Sequence, residues 1–157
     1  MKMEKPLKRI DEIKPFSRDH HHSLLLCWKI KTGLKKGIPI NRIKAYTDWF
    51  YKNHIVHHFE LEEKHLYPVL GIDNELIKQA IEEHKQLTKL FTEKNNIDNN
   101  LELITTELEK HIRFEEGILF NEIQKAASDD QLMKFEQIHS DERFVDNLSD
   151  EFWLYKE

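Results

Sequence analysis

The sequence predicts an all-α protein, an antiparallel up-down-up-down four-helix bundle with a short fifth helix and a C-terminal tail. Three observations predict it. Only four Gly and four Pro interrupt 157 residues, and 34% of side chains are charged against 39% apolar, a balance that suits helices with polar outer faces. The breaks separate long amphipathic stretches by short connections, which join antiparallel neighbours. Two stretches also share one pattern, HFELEEKHLYPVL from His58 and HIRFEEGILFNEI from His111, each His-x-x-x-Glu-Glu before an apolar run.

Each element carries its own start and stop. The first helix is expected over residues 17–34, with Ser17 as N-cap and the GLKKGIP segment from Gly33 to Pro39 ending it. The second covers about 41–70, with Pro68 and Gly71 marking its end. Asp73 or Asn74 caps the third, which reaches about residue 94 before the polar linker NNIDNN. The fourth spans about 101–127, and Ser128 with Gln131 forms a capping box for a fifth that ends near residue 140. Beyond it, Phe144, Val145, Leu148, Phe152, Trp153, Leu154 and Tyr155 give the tail enough apolar surface to pack back. The chain thus divides into an extension over 1–15, the bundle over 16–127, and a helix and tail over 128–157 that pack on the bundle.

Composition removes several function classes. A net charge of -5 on a mixed surface offers no basic face for nucleic acid. Residues 1–18 carry six Lys/Arg against three acids, and residues 128–157 nine acids against three basic residues, so the ends lie near each other or are simply solvated. A single cysteine, Cys27, excludes an intramolecular disulfide and a Cys-rich zinc site and suits a reducing compartment. With Leu24, Leu25, Leu26 and Trp28 beside it, Cys27 reads as a core thiol. That run is the longest apolar stretch and is far too short for a membrane span or signal core, so a cytoplasmic protein without a membrane partner is expected.

The inward faces of the four helices carry chemistry. At helical spacing, His58 and Glu62 share a face with Leu61 and Val69, and His111 and Glu115 share one with Ile104, Leu108 and Ile118. His84 joins Ile77, Ala80, Ile81, Leu87, Thr88 and Phe91. Of His20, His21 and His22, only one can point straight inward. His20 is favoured, because it brings Phe16, Leu24, Cys27 and Leu34 with it and leaves Lys29, Thr32, Lys35 and Lys36 outside. His21, about 100° round the helix, is the runner-up. Burying ionised carboxylates without partners costs several kcal/mol, and a cation removes the problem. Four imidazoles and two carboxylates (His20, His58, Glu62, His84, His111, Glu115) suit a pair of iron ions, with manganese or zinc as alternatives. Structural zinc fits less well, since it usually closes with four ligands and often with Cys, and no H-E-x-x-H element is present. If both glutamates bridge and an oxo or hydroxo group completes the set, each ion keeps a position open for O2, NO or H2O2.

Neighbouring residues have blander readings. His54 and His65 flank the inner face and read as packed, hydrogen-bonded residues or outer partners of the site. Glu63 and Glu116 read as solvated or paired to Lys, and His57 and His139 as surface residues. Tyr51 reads as a core aromatic or as a hydrogen-bond partner of a ligand, and Trp28, Trp49 and Trp153 as packing.

In this order, RDH at His20, HFELEEKHLYP at His58, EEH at His84 and HIRFEEGILF at His111, the chain resembles the hemerythrin-like, HHE cation-binding domains over residues 16–125. The resemblance implies an antiparallel four-helix bundle around a non-haem di-iron centre held by the same six residues. Ala80 and Thr88 stand where oxygen-carrying hemerythrins have a second histidine on the third helix, and Asn121 replaces a frequent proline. These departures imply closer similarity to bacterial four-His, two-Glu members, some associated with nitric oxide or with repair of iron centres. The repair proteins tend to carry an added Cys-containing domain, for which no room is expected here. The expected function is a di-iron protein that binds or senses O2 or NO or handles iron. Its alternative is a redox enzyme that reduces peroxide or NO or repairs iron centres, with His54, His65 or Tyr51 supplying protons. A metal-free interaction module leaves the inward histidines and glutamates unexplained.

Overall fold

The computed structural model describes residues 8–139 and 143–156. The first seven residues of the basic extension and the expected helix end at Ser140 lie outside that range. Among the described residues all regular structure is helical. The helices are α1 (Lys14–Lys35), α2 (Ile40–Phe50), α3 (Val56–Leu61), α4 (Glu75–Thr92), α5 (Ile97–Phe114), α6 (Phe120–Ala126) and α7 (Asp129–Ile138). A π-helical turn at Tyr51–Ile55 joins α2 to α3, and a second at Glu62–Leu66 leads into a 3-10 turn at Tyr67–Val69. A third, Glu115–Leu119, joins α5 to α6. Residues 40–69 and 97–126 therefore run as two continuous helical rods; in chain order α1 is followed by the rod 40–69, the second rod, then by α4 and the rod 97–126, the last rod.

Several boundaries differ from expectation. α1 begins before Ser17, because Pro15 occupies its first turn with a backbone angle already suited to a helix. Ser17 lies inside the helix, and its hydroxyl donates to the Glu116 carboxylate at 2.9 Å. α5 starts four residues early, because Asn96 takes a left-handed conformation (φ 53°) that turns the polar linker directly into the helix. Two caps stand as expected: the Asn74 side chain accepts from the Leu76 N–H at 2.8 Å, and Ser128 and Gln131 form a reciprocal box. At the end of α1, Gly37 (φ 70°) lets the Ile38 N–H reach the Gly33 carbonyl at 3.0 Å. Gly33 itself lies in the helix, where a Cβ would meet Ile43 at 2.9 Å, so its bareness lets α1 approach α2.

The core has two parts. One gathers Leu26, Cys27, Ile30, Phe50, Phe59, Leu87, Phe91, Leu101 and Leu108. The other gathers Ile13, Phe16, Leu66, Tyr67, Ile77, Ala80, Leu119, Phe120 and Ile123. Between them along each rod lies a belt of buried polar residues: His20, His58, Glu62, His84, His111 and Glu115. Cys27 is fully buried, and burial pushes its thiol up to about 12, as an inert core residue requires.

The tail packs on the bundle through buried Phe152 and Trp153, while Val145, Leu148, Leu154 and Tyr155 stay exposed. Lys29, expected outside, is only 7% exposed. Its ammonium lies 4.1 Å from the Trp153 ring centre, is 2.8 Å from the Tyr46 hydroxyl and pairs with Asp146, so the tail covers it. Trp28, expected to pack, is 52% exposed. The acidic tail pairs with the bundle, Asp150 taking Arg42 at 2.7 Å. In the basic N-terminal stretch, Arg9 bonds to Asn121 at 2.9 Å and to the Glu116 carbonyl. No described helix is long and apolar enough to cross a membrane.

Candidate metal centre

All six residues expected on the inward faces meet in the polar belt. They form two groups, His20, His58, Glu62 and Glu115, and Glu62, His84, His111 and Glu115, in each of which the ligand atoms lie within 4.8 Å of one another. Both carboxylates belong to both groups. Glu62 Oε1 is 3.2 Å from His58 Nε2 and from His84 Nε2, and Glu115 Oε1 is 3.1 Å from His20 Nε2 and 2.9 Å from His111 Nε2. The first helix contributes His20, 3% exposed, while His21 faces solvent.

Each imidazole presents Nε2 to the centre and is held by Nδ1 from outside. The His58 Nδ1–H donates to Asp19 at 2.8 Å, His84 to Glu63 at 2.9 Å, His111 to Glu83 at 2.7 Å and His20 to Glu116 at 3.1 Å. The four contacts form a ring: α1 holds the histidine of the second rod, that rod holds the α4 histidine, α4 holds the α5 histidine, and the last rod holds His20 of α1. Such a carboxylate behind an imidazole fixes which nitrogen faces a metal and raises its basicity. Glu63 and Glu116 were expected in solvent or on lysines; their place about 100° round from the inward face points them at the neighbouring helix. Asp19 and Glu83 gave no separate sequence signal beyond standing next to a candidate ligand. Asp19 also accepts from His139 Nε2 at 2.8 Å, so His139 is a partner of the site and not a surface residue.

The π-helical turns complete the arrangement. Glu62 and Glu115 each open one, and their carbonyls accept from the Tyr67 and Phe120 N–H groups five residues on. In a regular helix those residues would lie about 140° away from the glutamates. The extra residue per turn brings them inward and leaves Val69 and Ile118, expected inside, only half-buried. The Tyr67 hydroxyl donates to Glu115 Oε2 at 2.8 Å and lies 3.0 Å from His84 Nε2, and Phe120 stacks on His20 at 5.2 Å. Of its two expected places, Tyr51 takes that of a core aromatic, stacking on Phe91 at 4.8 Å. His54 and His65 are partly buried and, among the described residues, share no hydrogen bond, ion pair or ring contact with the six, while His57 is exposed as expected.

Electrostatics reinforce the design. Burial disfavours charge on every group, yet Glu62 and Asp19 push His58 up to about 9, and Glu115 and Glu83 push His111 up to about 10. His20 and His84 are raised against burial by Glu115 and Glu116 and by Glu62 and Glu63. Glu62 is held below the ordinary carboxylate range, burial notwithstanding, by His58 and His20. Glu115 is also held down, by His111 and His20 against burial and Glu62. Burial and Glu115 together raise the Tyr67 phenol, keeping it protonated as a donor.

Comparison with protein-family models, curated proteins and solved structures finds no match to this chain. The donor set itself supplies the test of fit. His58 Nε2, His111 Nε2 and both Glu62 oxygens are shut away from solvent without a hydrogen bond, because their close contacts are misaligned for one. Buried polar atoms seldom go unpartnered, and these belong to the two ligand groups, with the chemistry of hard-to-borderline metal ligands. The residues can hold metal ions. Glu83→Ala, which removes the support behind His111 and an exposed bond from Gln79, is expected to weaken metal binding about 10- to 100-fold with the helical content unchanged. Competition with a chromophoric chelator measures it; unaltered affinity would mean the outer ring is ornamental.

Proposed function

We propose that the chain is a hemerythrin-like, up-down-up-down four-helix bundle whose belt holds two metal ions, iron first, for binding or sensing O2 or NO or for handling iron. One observation carries this reading: two four-ligand groups share both glutamates, each adding two histidines of its own. Glu62 and Glu115 would serve both ions, with His20 and His58 at one position and His84 and His111 at the other. The two core clusters alternate in order along α1, the second rod, α4 and the last rod, which supports antiparallel neighbours. The ring of outer carboxylates supports the same order of helices around the site.

When bound, such a pair supplies open coordination positions for a diatomic or peroxide ligand. The chain's own residues do the rest. Glu62 and Glu115 span the two positions, the Nδ1 ring keeps the imidazoles oriented, and Phe59 on His84 (3.8 Å) with Phe120 on His20 makes apolar walls that exclude water. A dry, walled centre favours reversible binding over turnover. The redox-enzyme reading draws on one observation, the Tyr67 hydroxyl, which holds a proton at Glu115 Oε2.

The test is aerobic purification followed by metal analysis and absorption spectra before and after reduction and exposure to O2 or NO. About two irons per chain with a ligand-sensitive charge-transfer band is the expected result. A colourless chain without metal, with stability indifferent to chelator, overturns the proposal. Steady consumption of peroxide or NO that falls in Tyr67→Phe would decide for the enzyme.

A further inference from the structure

The four outer carboxylates are not held alike. Glu116, behind His20, has the Ser17 hydroxyl within hydrogen-bond reach of both its oxygens, at 2.9 and 3.0 Å, and lies 3.8 Å from the Arg9 guanidinium. Arg9 also bonds to the Glu116 carbonyl and to Asn121, so the N-terminal stretch is fastened over this residue. Asp19, behind His58, accepts from His139 Nε2 at 2.8 Å on the same oxygen that takes the His58 proton. His139 is itself seated. It closes α7, its ring stands edge-on to Phe16 at 4.9 Å, and Phe135 one turn earlier is fully buried.

Behind His84 and His111 the support is thinner. Among the described residues the Glu63 carboxylate bonds to His84 alone, and that of Glu83 has, besides His111, only the exposed Gln79 amide of its own helix at 2.9 Å. Exposure does not draw the line, since the side chains of Asp19 and Glu83 are 32% and 31% exposed. The difference lies in what ties each carboxylate to a further element. One tied from a second direction keeps its imidazole aimed when the helices fluctuate, whereas one held by the imidazole alone can swing out with it. Such outer support is worth about 10- to 100-fold in metal affinity.

We propose that the two metal positions are unequal: the His84 and His111 position gives up its ion first and the His20 and His58 position keeps its own, with Ser17 and His139 the positioning residues that set the difference. The inference rests on the two-ion reading above. It assigns the exchange of metal to one side of the belt, while the ion that stays holds both glutamates and the buried imidazoles together. A cavity of about 680 Å³ does reach Asp19 and His58, but His58 Nε2 is shut away from solvent, so the approach is from behind the imidazole.

The probe is Co(II), loaded into the full chain without oxygen and then challenged with excess EDTA, while the paramagnetically shifted imidazole signals, assigned with the His20→Ala and His84→Ala chains, are followed in time. Uptake of about two Co(II) per chain tests the two-ion reading by itself. The His84 and His111 shifts are expected to vanish about tenfold faster than those of His20 and His58. Ser17→Ala with His139→Phe should close that gap by shortening the lifetime of the His20 and His58 signals alone, and Gln79→Ala should leave it open. His139→Phe keeps a ring against Phe16, and a thermal melt reports whether the fold persists. If the double variant melts at lower temperature, Ser17→Ala alone, a small change within α1, must narrow the gap. Two ions lost together, or lost in the reverse order with the cavity as exit, overturn the inference and leave the two-ion reading standing. So does a gap that survives Ser17→Ala with His139→Phe, or a loss that speeds up equally at both positions. A chain that takes up no Co(II) overturns both.

Discussion

Glu62→Ala and Glu115→Ala are each expected to bring the metal content of the purified chain from about two ions to about zero, whereas His20→Ala and His84→Ala each leave about one. The asymmetry follows from geometry. Both glutamates belong to both ligand groups, while His20 and His84 each belong to one. Losing a shared carboxylate removes a ligand from both positions and also strips the buried imidazoles of counter-charge. Breaking one side of a buried ionic network typically costs about 3–5 kcal/mol, so the metal-free glutamate variants should also melt early. His57→Ala, at an exposed position one residue from His58, is the control and should keep its full metal content. Equal losses from the histidine and glutamate variants would show that the ions do not share the carboxylates.

Removal of metal should expose a pH dependence of stability that the loaded chain lacks. Without ions, His58 is raised to about 9 and His111 to about 10, both from an ordinary 6.5. A histidine raised by folding stabilises fully below its unfolded value, and that contribution disappears as pH rises through the folded value. The chelated chain should therefore lose stability from near neutrality up to about pH 10, by on the order of a few kcal/mol. Metal takes the opposite course. Its ligands must be deprotonated, so binding releases protons and weakens as pH falls. Urea unfolding of chelated and loaded protein at several pH values reads both trends. Stability of the chelated chain that rises toward pH 10 would sink this account of the belt.

Much of the centre was legible because its spacing is local. His and Glu four residues apart must share a helical face, and an apolar stripe on the same face must turn them into the core. That logic brought His58 with Glu62, His111 with Glu115, and His84 together, and the company of Phe16 and Cys27 chose His20 over His21. Helix boundaries were less legible where one residue decided them, Pro15 at α1 and Asn96 before α5. Lys29 was misplaced because its burial depends on Trp153 and Asp146, more than a hundred residues away.

By itself, then, the sequence determined an all-helical chain and six inward His and Glu side chains, since helical periodicity is a property of neighbouring residues. Only the tertiary structure decided which histidines pair, that both glutamates are shared, and that Asp19, Glu63, Glu83 and Glu116 hold the imidazoles of adjacent helices. It also decided the π-helical turns at Glu62 and Glu115, which carry Tyr67 and Phe120 inward. Those features depend on contacts between helices. A residue about 100° off the inward stripe looks solvent-facing until a neighbouring helix arrives beside it. A backbone bond to the fifth residue has no mark in the sequence and forms where packing across the bundle favours it.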